Sequence, residues 1–341
     1  MLIGLWTTTS CNLRCKYCYE GTEKKNSMMN LSTADLAVQF IIKQYEEKKP
    51  EKVVVQFHGG EPLLNFKVIK YTIEKLEDYF RGKESRILFG ITTNAMLMTD
   101  EIAEFLARKM NYDLSISLDG NQEINDLNRV TAEKKGTYQM VVERALYVKK
   151  FKSDIRIRMT YNSSTVSSLS ESIIHLIQLG FKKIVSVPDY FDKKWDNEGI
   201  QILLQQMLNV HKYQKENVLP DDVYISVLEE RFFKKNTCTG GISNFHIYPD
   251  GSLYPCSYGA GKKEFFLGNL HNKPQIESER VESMQCISKQ INKVCQGCSN
   301  YESCIGTRCK IVNKVMTGEY TKVQPVVCAI EHVKYKFANI K

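Results

Sequence analysis

Residues 2–18 read LIGLWTTTSCNLRCKYC. The first seven, LIGLWTT, are apolar or β-branched almost throughout, as in a strand buried on both faces. Directly behind them come Cys11, Cys15 and Cys18, spaced C-x3-C-x2-C. Three thiolates can hold three irons of a [4Fe–4S] cluster and leave the fourth iron without a protein ligand. An open iron is a reaction site, whereas four cysteines would make a closed electron-transfer cluster. Spacing alone also admits a zinc site short of one ligand, or three incidental thiols.

Outward from this stretch, short apolar runs alternate with helical patterns. Further strands are expected at 52–57, 86–92, 112–118, 154–160 and 183–187. A helix is expected from Ser32 as N-cap, with Asp35 three residues on and an apolar stripe of Ala37, Phe40, Ile41 and Tyr45. Ile102, Phe105, Leu106 and Met110 form a second such stripe, and 65–81, 138–150 and 166–179 fit further helices. Six strand–helix units predict a parallel α/β architecture, closed or partly closed.

Chemistry in such sheets collects at the C-terminal strand ends. The three cysteines follow the first strand, His58-Gly59-Gly60-Glu61-Pro62 the second, Thr93-Asn94 the third and Ser117-Leu118-Asp119-Gly120 the fourth. An amino group and a carboxylate, as in the methionine moiety of S-adenosylmethionine (SAM), would chelate an open iron. Gly59 and Gly60 let backbone carbonyls approach an ammonium, and Glu61 adds negative charge. Ser117 and Arg129 suit the carboxylate; Thr93 and Asn94 suit ribose hydroxyls. Taken singly, Gly59-Gly60 reads as a tight turn, Arg129 as a surface ion-pair residue and His58 as a structural histidine.

The motifs CNLRCKYC at 11–18, GGEP at 59–62, TTN at 92–94 and SLDG at 117–120 followed by Arg129 resemble those of the radical SAM superfamily over about the first 190 residues. The resemblance implies that Cys11, Cys15 and Cys18 bind the cluster. It also implies that Tyr17 lies against adenine, Gly59 and Gly60 contact the SAM amine, and Ser117 and Arg129 hold its carboxylate. The implied fold is a partial (β/α)6 TIM-type barrel. The implied chemistry is reductive cleavage of SAM to a 5′-deoxyadenosyl radical that abstracts hydrogen from a substrate.

Of the eleven cysteines, the other eight all lie after residue 237. Clustering and an odd count speak for metal sites in a reducing cytosol rather than a disulfide framework. A composition shift places a boundary at 235/236: residues 1–190 as core, 191–235 as a helical bridge and 236–341 as a second domain. Pro249-Asp250-Gly251 between apolar runs reads as a hairpin that would bring Cys238 and Cys256 together. This region resembles a SPASM domain, which carries two auxiliary [4Fe–4S] clusters in many peptide-modifying relatives. That resemblance implies an outer cluster on Cys295, Cys298, Cys304 and Cys328, and an inner one on Cys238, Cys256 and Cys309. The Cys304–Cys309 spacing is x4, where the family usually has x3. Cys286 is left over, a fourth inner ligand or an ordinary small buried residue. A pair of zinc knuckles is the competing reading of C-x2-C.

The charge is +8 from 47 basic and 39 acidic residues, dispersed without a basic stripe. That suits a solvated surface or an acidic partner such as a peptide, and gives no sign of nucleic-acid binding. No apolar run reaches 18 residues and no signal peptide is legible, so a cytoplasmic location is expected. Two substrate readings follow from the resemblance: maturation of a ribosomally made peptide by crosslinking or a related change, and formylglycine formation in a sulfatase. The sulfatase-maturing branch usually has an aspartate after its YPC-like motif, as the catalytic base. Here Ser257 follows Tyr254-Pro255-Cys256, and Asp189 is an alternative base. The peptide-maturase reading is therefore preferred. With the first strand at residue 2 there is no room for an N-terminal leader-binding domain, so leader recognition is expected from a separate leader-binding protein or from the SPASM-like surface, or is not needed. The expected reductant is a small flavodoxin or ferredoxin. A non-catalytic iron–sulfur electron carrier is the reading from another functional class, and it has no use for the strand-end motifs.

Overall fold

A computed structural model describes residues 1–21, 26–229 and 237–340. The boundary expected at 235/236 falls outside the described residues. In chain order the regular elements begin β1 (Leu2–Thr8), α1 (Leu31–Lys48), β2 (Val53–Gly59), α2 (Phe66–Tyr79), β3 (Ile87–Thr93) and α3 (Asp100–Lys109). They continue with β4 (Asp113–Ser117), α4 (Gln122–Asn128), α5 (Tyr138–Lys149), β5 (Arg156–Tyr161), α6 (Leu169–Gln178), β6 (Lys183–Pro188), α7 (Asn197–Glu216) and β7 (Tyr224–Ile225). The C-terminal part holds β8 (Asn244–Ile247), β9 (Ser252–Tyr254), β10 (Gly268–Asn269), α8 (Ser278–Ser288), α9 (Ile305–Arg308), α10 (Lys310–Thr317) and α11 (Pro325–Ala338).

The strands form one sheet in the order β10-β9-β8-β1-β2-β3-β4-β5-β6-β7. From β8 to β7 every neighbouring pair is parallel, and β8–β9 and β9–β10 are antiparallel. The six expected strands are all present, in sequential order with helices between them. Two parallel pairings were not foreseen. Tyr224–Ile225 extends the sheet beyond β6, inside the segment expected as a helical bridge. At the other edge β8 lies beside β1, pairing Leu2 with Asn244. The sheet therefore runs unbroken from core to C-terminal region.

The pleat separates two faces. Ile3, Leu5, Val55, Phe57, Phe89, Ile91, Leu114, Ile116, Ile157 and Ile184 are all buried and belong to the hydrophobic core. The opposite face carries Gln56, His58, Thr92, Ser115, Ser117, Arg156, Arg158, Lys183 and His246, with Trp6, Leu88 and Val185 among them. A polar inner face suits a ligand cavity rather than a packed barrel centre.

One helix start needs correction. Asn30, not Ser32, caps α1: its backbone is extended and its side-chain Oδ1 accepts the Thr33 amide at 2.7 Å. Ser32 already lies inside the helix.

Candidate active site

The loop behind β1 is stitched to the segment around Arg129. The Arg14 amide donates to the Val130 carbonyl at 2.7 Å and the Lys16 amide to the Asn128 carbonyl at 3.0 Å. Leu13 is buried beneath it. This fixes Cys11, Cys15 and Cys18 over the strand ends. The Asn94 amide group reaches the Asn12 side chain at 2.9 Å and stands 3.9 Å from Cys11 Sγ.

Gly59 and Gly60 pack against backbone. A Cβ on Gly60 would stand 2.3 Å from the Ser10 carbonyl oxygen, and one on Gly59 2.5 Å from that of Thr8. The glycines thus hold the second strand end against the residues that lead into Cys11. Glu61 completes this joint. Its buried carboxylate accepts from the Leu63 amide at 3.1 Å, the Thr93 hydroxyl at 2.6 Å and the Asn94 amide at 2.7 Å. Burial raises its pKa, opposed by these donors. The sequence suggested that Glu61 adds charge beside an amine and that Thr93 and Asn94 meet ribose. In the structure Thr93 and Asn94 both donate to Glu61, which ties the second and third strand ends together.

Tyr17 and Arg129 meet, and Asp119 joins them. The Tyr17 hydroxyl donates to Asp119 Oδ2 at 2.5 Å and receives Arg129 at 2.6 Å. Asp119 is fully buried and also accepts the Thr160 amide at 2.9 Å. Burial opposes the charge on Arg129, but Tyr17, Cys15 and Asp119 together lift its pKa well above the ordinary value. Arg129 Nε is buried without a hydrogen-bond partner, so it has a donor to spare. Ser117 ends β4 and pairs in register with Arg158 of β5.

Aromatic residues border the inner face. Trp6 Nε1 donates to His246 Nδ1 at 3.1 Å, and Trp6 stacks on His58 with ring centroids 5.7 Å apart. Burial and the charge of Arg158 lower the His58 pKa to about 4. Tyr19, directly after Cys18, meets Tyr258 at 5.9 Å, and Tyr258 stacks on Phe191 at 6.3 Å. Tyr258 lies in the fields of Arg158, Cys309, Cys256 and Asp189. Asp189, behind β6, accepts the Phe191 amide at 2.9 Å, and burial raises its pKa. Asp119 and Arg158 were missed in the sequence as site residues. Asp119 stood in view within SLDG, but its buried partners follow only from the register.

Residues 7–174 match the radical SAM superfamily model. The chain carries a radical SAM domain. It is 29% identical over 290 residues to a protein of Methanocaldococcus jannaschii, covering 84% of this chain and 94% of that one. It is 24% identical over 328 residues to the cysteine-type anaerobic sulfatase-maturating enzyme of Clostridium novyi, covering 87% and 84%. The fold matches the solved structure of anSMEcpe with bound AdoMet and a Cp18Cys peptide, with TM-score 0.76, 21% identity and coverage of 99% and 97%. It also matches Streptococcus suis SuiB bound to precursor peptide SuiA, with TM-score 0.66, 16% identity and coverage of 96% and 75%. A radical SAM domain implies one [4Fe–4S] cluster and SAM. The residues present fit that pair: three thiols on one anchored loop and a buried guanidinium nitrogen with no hydrogen-bond partner.

Beyond the radical SAM domain, the later cysteines fall into two groups. The hairpin forms as expected, with Gly251 at φ +82° in its turn. Burial first, then Cys309 and Cys238, push the Cys256 thiol up to about 12, so these three are neighbours. The single-turn α9 absorbs the extra residue before Cys309. Cys295, Cys298, Cys304 and Cys328 line one cavity of about 1270 Å³. Among the described residues no three or more His, Cys, Asp or Glu are drawn in tightly enough for one metal ion. Thiolates around a four-iron cluster each meet a different iron and stand wider apart than the ligands of one zinc. Cys286 is exposed on α8, which corrects the expectation of a buried residue. That helix turns its Gln285 amide, rather than a thiol, to the Gly240 carbonyl at 3.0 Å. No helix among the described residues is long and apolar enough to cross a membrane.

Proposed function

We propose that this chain is a SPASM-type radical SAM maturase that modifies a side chain of a ribosomally made peptide. Cys11, Cys15 and Cys18 hold the cluster of the core, Cys238, Cys256 and Cys309 an inner auxiliary cluster, and Cys295, Cys298, Cys304 and Cys328 an outer one. Bound there, SAM and its cluster supply a radical that removes hydrogen. Arg129, steadied by Tyr17 and Asp119, offers its spare donor to the SAM carboxylate beside Ser117. Gly59 and Gly60 present bare backbone to the amine, and Tyr17 borders the adenine. One observation carries the peptide reading: Tyr19 of the radical-forming loop touches Tyr258, two residues after the inner thiol Cys256, at 5.9 Å. The space between radical source and inner thiolates is thus walled by aromatic residues, with Arg158 and Asp189 facing Tyr258. A reductant of flavodoxin or ferredoxin type and a leader-binding protein complete the expected partners, in the cytoplasm.

The test is anaerobic preparation with iron and sulfide counts, SAM turnover and peptide mass spectrometry. About twelve irons are expected, four for each of three clusters, together with SAM-dependent 5′-deoxyadenosine. Four irons, or zinc in the C-terminal region, would remove the SPASM assignment. Absence of SAM cleavage by loaded protein would favour the electron carrier. Formylglycine formation is the second reading, favoured by the match to anSMEcpe over 99% of this chain. Ser257 in place of the usual acid weighs against it, unless Asp189 supplies the base. Incubation with cysteine- and serine-bearing sulfatase peptides, followed by hydrazide trapping of an aldehyde, separates the two.

A further inference from the structure

Four cations lie on or beside the inner face of the sheet, and three have acidic partners. Arg156 pairs with Asp113 at 3.1 Å, and Lys183 with Asp154 at 2.9 Å. Arg129 is held by Tyr17 and feels Asp119. Arg158 differs. Its neighbours in sequence, Ile157 and Met159, are buried in the core, so the pleat turns Arg158 to the inner face, in register with Ser117 and Val185. Among the described residues its guanidinium makes no hydrogen bond and no salt bridge, and it is exposed rather than buried. Its charge nevertheless reaches His58 and Tyr258. Asp113 also lies in its field but is bound by Arg156.

An arginine with idle donors, on the polar face of the sheet and with its charge reaching Tyr19, Tyr258 and His58, is a recognition group for an anion. The planar fork matches a carboxylate with two parallel hydrogen bonds. We infer that Arg158 is a specificity residue that binds a carboxylate of the substrate peptide, an Asp or Glu side chain near the modified residue. This rests on the peptide-maturase reading and narrows it to acidic peptides, in keeping with the net charge of +8. SAM is the other carboxylate source at this face. Arg129, with its buried spare donor, serves SAM, whereas Arg158 faces Tyr258 of the C-terminal region.

The experiment uses the anaerobically loaded full chain with SAM present. Two fluorescent octapeptide pools serve as probes, one with a fixed central Glu and one with Gln, the other positions randomised over Gly, Ala, Ser and Tyr. A charge-assisted bidentate contact predicts about 10-fold tighter binding of the Glu pool. That ratio should fall to about one in Arg158→Met and be partly kept in Arg158→Lys, which retains the charge without the fork. SAM affinity, measured separately, should be unchanged in both variants. Equal binding of the two pools by the wild type, or binding of neither by protein that cleaves SAM, overturns the inference. So does a variant that loses SAM affinity instead, which assigns Arg158 to the SAM carboxylate. Protein that neither loads clusters nor cleaves SAM fails earlier, at the proposed function.

Discussion

A methyl group on Gly60 has no space to occupy, because the Ser10 carbonyl oxygen stands 2.3 Å from the position it would take. Gly60→Ala must push back the backbone that leads into Cys11. The expected cost is about 2 kcal/mol, read as a lower melting temperature of the cluster-free protein, with reduced iron content after reconstitution. His58 gives a second test. Its folded pKa of about 4 lies below the ordinary 6.5, so the folded state resists protonating it. Its contribution is present above pH 6.5 and is lost as pH falls toward 4. After allowance for partial exposure of the ring it is worth about 2 kcal/mol. His58→Phe should flatten the melting temperature between pH 6.5 and 4 relative to wild type. An unchanged slope would assign that acid sensitivity to His246, whose pKa burial also depresses. At this scale the sequence places the three cysteines directly behind the first strand, and the structure has them on a loop anchored to the segment around Arg129. Glu61 was legible as important but not in its role, since three donors claim it from two strand ends. Arg158 was not legible at all, because its significance lies in the register that denies it a partner.

Among the elements, α11 carries the strongest prediction. It packs on α7, bears Cys328 and buries Phe337, whose ring meets His211 edge-on at 5.9 Å. Phe337→Ala should cost about 3–5 kcal/mol and weaken iron binding by Cys328, although the two residues are more than two turns apart. Urea unfolding and iron counts measure the two effects; loss of stability with full iron would separate helix from cluster. The strands were legible as short β-branched or apolar-rich runs between helical patterns, even though several of their positions on one face are polar. The start of α1 was misplaced because Asn30 and Ser32 are both good caps by residue type, and only the extended backbone at Asn30 decides between them.

Across the molecule, the cysteines should divide by function. If the proposed three clusters are present, Cys15→Ala should lower iron by about one third and abolish SAM cleavage, since the proposal gives Cys15 to the cluster with the open iron. Cys298→Ala should lower iron by a similar share and leave 5′-deoxyadenosine formation measurable. Equal loss of SAM cleavage in both would mean that the C-terminal region is needed to build the core site. The parallel α/β core could be read from six repeated units. The pairing of β8 with β1 could not, because four short residues such as NFHI carry no address for a partner so distant in sequence.

That pairing also orders events during synthesis. Leu2 waits for Asn244, so a nascent chain of 229 residues has every strand of the core yet leaves β1 with one bare, apolar edge. Such an edge templates strand addition from other chains. A fragment ending there should aggregate on release, and coexpression with residues 237–341 should rescue it. The C-terminal region thus acts as the core's own late-arriving chaperone.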